Sequence, residues 1–288
     1  MAAGAVFALV GIVADPRVLL GVPIWLKPFK FFSSFTLFFA TVLLFLTHAG
    51  EPPRSMRWIS AGLIVAAAAE MVAIAGQAAR GTMSHFNVTT ALDAAAFNIM
   101  GGMIAVFQLS LCGLAVMFLR RRIANRALAT GIRGGLIVMF VGTLATGVPM
   151  IASPTPAAHQ RTAAKYGVRS TGGGHAIGAP DDVPGTAVVG WSTQGGDLRA
   201  PHFFSLHALQ ILPLFAWMVS RRALATARAV AITRGAAIAY AGLVFVLTWQ
   251  ALRGQSIAAP DAATLAGVGA AVLAGFGWAF VDARSHQV

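Results

Sequence analysis

Charge is what this sequence has least of. Only 10% of its 288 residues are Asp, Glu, Lys or Arg, while 57% are hydrophobic; soluble domains carry roughly 25% charged residues. That shortage, with a mean hydropathy of +0.75, excludes an ordinary soluble domain. Acidic residues are scarcest, nine against 21 basic ones, for a formal net charge of +12. Such a surplus can mark a nucleic-acid binder. Here the arginines stand in short blocks between apolar runs, the pattern of loops flanking membrane spans, so the expected partner is the lipid bilayer and not nucleic acid. Cysteine is nearly missing: Cys112, alone in an apolar run, leaves no intrachain disulfide and no CxxC metal or redox pair. There is no GxxxxGK[ST] loop, no GxSxG elbow and no GxGxxG after a strand, which argues against ATP-driven transport and against serine hydrolases of that type. No internal repeat is visible, so the inverted-repeat signature of many secondary transporters is missing too. The start, MAAGAVFALVGIVADPR, lacks the basic n-region of a signal peptide.

What remains is mostly membrane. A spanning helix needs about 20 largely apolar residues. Seven runs qualify or come close: 26–47, 58–79, 94–119, 134–152, 203–220, 235–252 and 262–281. The opening run 2–14 is short, stopped by Asp15-Pro16-Arg17, and 18–25 is apolar again. It could be a short span, a re-entrant piece or an interfacial helix; a span is favoured, which makes eight. The expected fold is all-α: a polytopic transmembrane helix bundle of seven or eight helices, one domain over residues 1–288.

Orientation follows from the basic residues. Arg54 and Arg57, the block Arg120 to Arg133, the block Arg221 to Arg234, and Arg284 fall on one side, 12 of the 21 Lys and Arg. Five others lie in short segments of the opposite side and four in its long loop. Long loops count little, so the first side is expected to be cytoplasmic, with the C-terminus. The expected location is a bacterial inner membrane. His48 and His286 then lie inside, and the other five histidines outside.

The loop 153–201 is too long for a mere connector. Its first half, 153–170, is polar and reads as mobile. Its second half is dense in Gly, Pro and Asp, which set specific turns, and holds apolar Ala187-Val188-Val189 and Trp191. That half reads as an ordered extracytoplasmic lid. From Thr171 to Gln210 the chain gathers His175, Asp181, Asp182, Asp197, Arg199, His202 and His207, then enters an apolar run. Polar groups descending into a membrane helix are costly and call for a reason.

Three constellations carry candidate chemistry. The first is a histidine set, His85, His175, His202 and His207, with Asp181 or Asp93 able to complete a metal site. Its spacing matches no stereotyped motif. His202 and His207 are five apart, about 140° on a helix, and so do not share a face, whereas His207 and Gln210 do. The plainer alternative is local hydrogen bonding of each ring, and that reading is strongest for His159. The second is Glu70 in the middle of its run, on a row of Gly62, Ala66, Ala73 and Gln77, a packing face that turns the carboxyl into the bundle. The third is PIWLKPFKFFSSF, where Lys27, Lys30 and Ser34 share a face; interfacial snorkelling is the alternative. Asn87-Val88-Thr89 matches a glycosylation sequon, a common and here uninformative match.

PIWLKPFKF, ARGTMSHFN, GGHAIGAPDD, WSTQGGDLRAPHFFSLHALQ and TWQALRGQ together resemble an uncharacterised family of bacterial multi-pass inner-membrane proteins, over most of the chain. The resemblance implies the fold and no activity. A looser likeness is to the zinc-dependent seven-helix membrane hydrolases of the alkaline ceramidase type, whose HxxxH pair this chain lacks. The leading expectation is an outward-facing polar pocket lined by His207 and at least one of His85, His175 and His202, with Lys30 or Asp93 at its edge and Asp181, Arg199 and Gln210 nearby. Such a pocket would suit a small-molecule ligand in a membrane enzyme binding a transition metal or haem. The alternative is a small-solute transporter or channel using Glu70 and Lys27/Lys30. A third reading is a sensory or assembly subunit that only binds partners.

Overall fold

The computed structural model describes residues 1–48, 50–183, 185–187 and 189–285, with no side chain described at 284 and 285. Val188 and His286 lie outside the described residues. In chain order come α1 (Ala2–Ala14), a hairpin of β1 (Val18–Leu19) and β2 (Val22–Pro23), α2 (Leu26–Leu46), α3 (Met56–Arg80), α4 (Ala91–Arg120) and α5 (Arg126–Ile151). There follow α6 (Pro156–Lys165), β3 (Ala176–Ile177), β4 (Gly196–Asp197), α7 (Arg199–Ser220), α8 (Thr226–Leu252) and α9 (Ala262–Ser285).

Among the described residues, seven helices are long and apolar enough to cross a membrane: α2, α3, α4, α5, α7, α8 and α9. Val72 and Leu109 are 75% exposed and Phe276 is 72% exposed, which only a lipid surround makes favourable. This is an all-α, multi-pass membrane protein. The favoured eighth span is not among the helices of spanning length. α1 has 13 residues, about 20 Å of helix against a hydrocarbon core of roughly 30 Å. It lies antiparallel on α2, with Gly11 against the Trp25 ring and Gly4 against Phe32.

Alternation of the spans makes two faces. The "loop face" carries the 153–198 segment, the β1–β2 hairpin between α1 and α2, and the turns α3–α4 and α8–α9; the "arginine face" carries the turns α2–α3, α4–α5 and α7–α8. Hydrogen bonds tie each face together. Arg17 donates to the Ala79 carbonyl at the end of α3 (2.9 Å) on the first, and Arg133 to the Arg121 carbonyl at the end of α4 (2.7 Å) on the second.

Helix ends follow their sequence signals. Thr90 caps α4, accepting from the Asp93 N–H and donating to its carboxylate at 2.6 Å. Asn125 caps α5 through the Leu128 N–H, and Asp261 caps α9 through the Thr264 N–H. α3 stops at Gly81, whose φ of 80° suits glycine, and Thr82 N–H reaches back to the Gln77 carbonyl, as a Schellman ending does.

Helix packing runs on small residues. A Cβ at Gly135 would stand 2.7 Å from the Ala208 carbonyl oxygen and one at Gly131 2.7 Å from that of Leu212, so α5 meets α7 backbone to backbone; Gly275 and Ala239 bring α8 and α9 together likewise. This is the association mode of apolar helices in lipid. Gly135→Val is therefore expected to weaken the α5–α7 seam by about 1–3 kcal/mol, as overpacking does. Thermal unfolding in detergent checks it, and an unchanged midpoint would show that the seam can yield.

The described residues of the 153–198 segment are folded against the bundle. Its first half, expected to be mobile, forms α6, which buries His159, Thr162 and Ala163. Those three positions, at i, i+3 and i+4, make one helical stripe, and Pro156 suits the first turn. The second half returns as the antiparallel β3–β4 pair. The segment is stitched to every neighbour at this face. Val88 N–H donates to the Arg169 carbonyl, Gly174 N–H to that of Met150, Lys30 Nζ to that of Val189 (2.9 Å) and Ser256 Oγ to that of Ser192 (2.7 Å). Trp191 packs on Phe203 at the top of α7.

Candidate functional site

The glycine run before His175 is what lets the segment sit this low. Gly173 lies against the Phe86 ring and Gly174 against the His159 ring, with no room for a Cβ at either. Phe86 itself holds φ at 61°, an unusual state for a bulky residue, in the α3–α4 turn that also presents His85.

Below the glycines lies a chain of ionisable groups. Asp181 stands between two imidazoles: its Oδ2 is 3.1 Å from His159 Nδ1 and its Oδ1 3.2 Å from His175 Nδ1. Both rings sit off the line of a well-formed hydrogen bond, whereas the Ala176 N–H donates squarely to Oδ1 at 2.8 Å. Burial works against the Asp181 charge. The His175 and His159 rings and the Ala176 N–H outweigh it and hold the carboxyl below the usual range. His175 moves the other way: burial, then the Arg199 guanidinium, push it down to about 4 against the pull of Asp181 and Asp197. It is thus a neutral ring beside an ionised carboxylate.

Asp197, on β4, has a side chain with no exposure. It accepts from the Arg199 guanidinium (2.6 Å), the Arg199 N–H and the Ser192 N–H. Arg199 also donates to the Gly190 carbonyl. His175 Nδ1 is 3.8 Å from Asp197, so the two carboxylate clusters touch.

A second layer lies toward the membrane. Lys27, in the first turn of α2 with its flank exposed, donates to His85 Nδ1 at 3.2 Å. Ser84 Oγ is 3.0 Å from the same nitrogen. Burial and the Lys27 ammonium drive His85 well below its ordinary value, so it is neutral with its proton on Nε2. Lys27 is also within electrostatic reach of Asp181, Arg199 and Glu70.

Glu70 is deepest. It is 1% exposed, ten residues before the end of α3, which is about 15 Å along the axis. Neither carboxylate oxygen has a hydrogen-bond partner among the described residues. Its row of small neighbours meets α4, where Gly62 lies against Ser110, so the carboxyl is turned into the bundle.

The four histidines His85, His175, His202 and His207 do not form one group. Among the described residues no three of His, Cys, Asp and Glu are placed to hold a metal ion. α7 begins at Arg199, so His202 and His207 are both helical and point apart, as their spacing required. His202 Nδ1 is hydrogen-bonded to Thr146 Oγ1 on α5 (2.8 Å). His207 bonds Gln210 (3.2 Å), which donates to Thr41 on α2, and its ring lies 4.1 Å from that of Phe203. His207 and Gln210 therefore join α7 to α2. Asp93 is engaged elsewhere, by Arg80 (2.6 Å), Gln77 (2.8 Å) and Thr90, with a close contact between Arg80 and Gln77; it locks the α3–α4 corner. Asn87 of the sequon is fully buried and donates to Thr82 and Met83.

Sequence reasoning undervalued His159 and placed Lys27 only in the alternative reading. The buried stripe of α6 would have signalled the first. The second depends on which side chain His85 meets across 58 residues, which no local pattern encodes.

No family model, no curated protein and no solved structure matches this chain.

Proposed function

We infer that this protein is a proton-coupled carrier of a small solute, in which Glu70 takes up and releases the proton and Lys27 is its counter-ion. One observation carries the reading: a carboxyl group 1% exposed, in mid-span, with neither oxygen hydrogen-bonded among the described residues. An intramembrane carboxylate without donors is costly as an anion. It is stabilised by taking a proton or by an approaching cation, and Lys27 is the cation within reach. Asp181, His175 and Lys27 supply titratable or donor groups from the loop segment toward Glu70, and the segment itself serves as the lid. The reading as an enzyme with a metal ion held by three or more side chains draws less support, because the described donors are dispersed.

The test is proton movement in liposomes containing the purified protein, read by an entrapped pH dye under an imposed gradient and then with a panel of amino acids, organic acids, sugars and organic cations. Proton flux, basal or solute-evoked, is expected and should fall at least tenfold in Glu70→Gln. Equal flux in wild type and variant throughout would overturn the reading. Bound metal or a haem spectrum in the purified protein would favour the enzyme instead.

The loop face is proposed to be extracytoplasmic in a bacterial inner membrane, from the excess of arginine at the other face. The Lys165 side chain is 60% exposed. Lys165→Cys, with Cys112 replaced by Ser, is expected to react with a membrane-impermeant maleimide in intact cells. Labelling only after membrane rupture would reverse the orientation.

A further inference from the structure

The arginine face holds a cavity unrelated to the Glu70 site. Its volume is about 430 Å³, and Arg122, Arg126, Arg133 and Arg234 line it, with Thr130 and Val230. Among the described residues no Asp or Glu lines it. It is built from the α4–α5 turn, the first turns of α5 and the first turns of α8.

Two of the guanidiniums are fixed by the fold. Arg133 donates to the Phe118 (3.2 Å) and Arg121 (2.7 Å) carbonyls at the end of α4. Arg234 is paired with Asp282 of α9 at 3.0 Å. The Arg122 and Arg126 side chains have no hydrogen bond or ion pair among the described residues. One acidic residue thus offsets four cations that face a common space. Like charges gathered in this way repel, and a bound anion relieves that repulsion. The guanidinium fork matches phosphate oxygens in geometry. The first turn of α5 adds the positive end of a helix.

The position selects the ligand further. α4 ends at Arg120 and α5 begins at Arg126, so the cavity sits where apolar spans give way to charged turns, at the depth of lipid phosphates. Val230, Ile123 and Ala129 give it an apolar wall. Basic pockets between spans suit anionic headgroups.

We propose that this cavity binds a phosphate-bearing anion, supplied by the headgroup of an anionic glycerophospholipid or by a soluble phosphate compound. The test uses the full chain in a neutral detergent, titrated separately with cardiolipin, phosphatidylglycerol, phosphatidylcholine and inorganic pyrophosphate, with affinity read by native mass spectrometry and thermal stabilisation. Binding of at least one anionic probe over phosphatidylcholine is expected. Arg122→Gln/Arg126→Gln should weaken it by about tenfold or more, the scale of losing charge-assisted contacts. Those two residues are exposed and their side chains make no hydrogen bond or ion pair among the described residues, so the variant should keep the wild-type unfolding midpoint without ligand. Arg54→Gln/Arg57→Gln, on the same face and outside the cavity, should leave binding unchanged. Preference for the lipids identifies a headgroup site, and preference for pyrophosphate a soluble ligand. Equal binding of phosphatidylcholine, or an equal loss in the Arg54/Arg57 variant, would overturn the proposal.

Discussion

Asp197→Ala is expected to cost about 3–5 kcal/mol, the scale of breaking a buried ion pair from one side. The Asp197 side chain has no exposure, whereas that of Arg199 keeps 35%, and solvent screening of the guanidinium brings the figure toward the lower end. The loss is not confined to the pair. Asp197 accepts from the Ser192 N–H at 2.8 Å and the Arg199 N–H at 2.9 Å. Without it the first is orphaned inside the loop segment and the second at the start of α7. It also stands 3.8 Å from His175, so its removal loosens the contact between the two carboxylate clusters. Asp197→Asn keeps the shape and one acceptor and is expected to lose about half as much. Unfolding in detergent, followed by the fluorescence of Trp191, measures the cost, and limited proteolysis within 153–198 shows where it falls. If Asp197→Ala unfolds at the wild-type temperature and resists protease equally, the ion pair does not hold the segment down.

The spans were legible because a lipid solvent imposes its demand on each helix separately: about 20 apolar residues, whatever the neighbours do. Hydropathy reads that depth and not the hydrogen-bonded helix. α5 was expected from residue 134 and begins at Arg126, and α8 was expected from 235 and begins at Thr226, because helices continue past the apolar region into the arginine turns. Glu70 was legible for a related reason. Gly62 and Ala66 at helical spacing say where a neighbour comes close, and hence which way the carboxyl turns. The loop segment was harder. Its burial is set by groups far apart in sequence, such as His159 beneath Gly174 and Arg169 against Val88. Polar composition alone therefore suggested mobility where α6 is packed. The histidines are dispersed for a geometric reason already in the spacing. Five residues on a regular helix send His202 toward α5 and His207 toward α2, and nothing irregular at the start of α7 brings them back.

Acid should unfold this protein from the loop face, beginning near the ordinary histidine range. His175 falls from 6.5 to about 4 in the folded chain, and His85 is displaced in the same direction. Between those two values the unfolded chain binds a proton at His175 that the folded chain refuses. Stability is therefore full above about 6.5 and drains away as the pH falls to about 4. One such group contributes at most about 1.4 kcal/mol per pH unit, and the 22% exposure of the His175 side chain keeps the real slope below that ceiling. Asp181 and Asp197, both held low, extend the loss further into acid. His175→Asn removes the first part only, so its unfolding midpoint should fall less steeply across the window while the fold is retained. Asp181→Ala is expected to cost about 2–4 kcal/mol even at neutral pH. It takes the acceptor from the Ala176 N–H, leaves the buried His159 ring facing no carboxylate, and leaves His175 only the more distant Asp197 at 3.8 Å. Unfolding midpoints of the three proteins across that pH range decide the matter. Parallel curves for wild type and His175→Asn would mean that His175 is already solvated in the folded chain. The chain of groups from the loop segment toward Glu70 would then be broken at its second link.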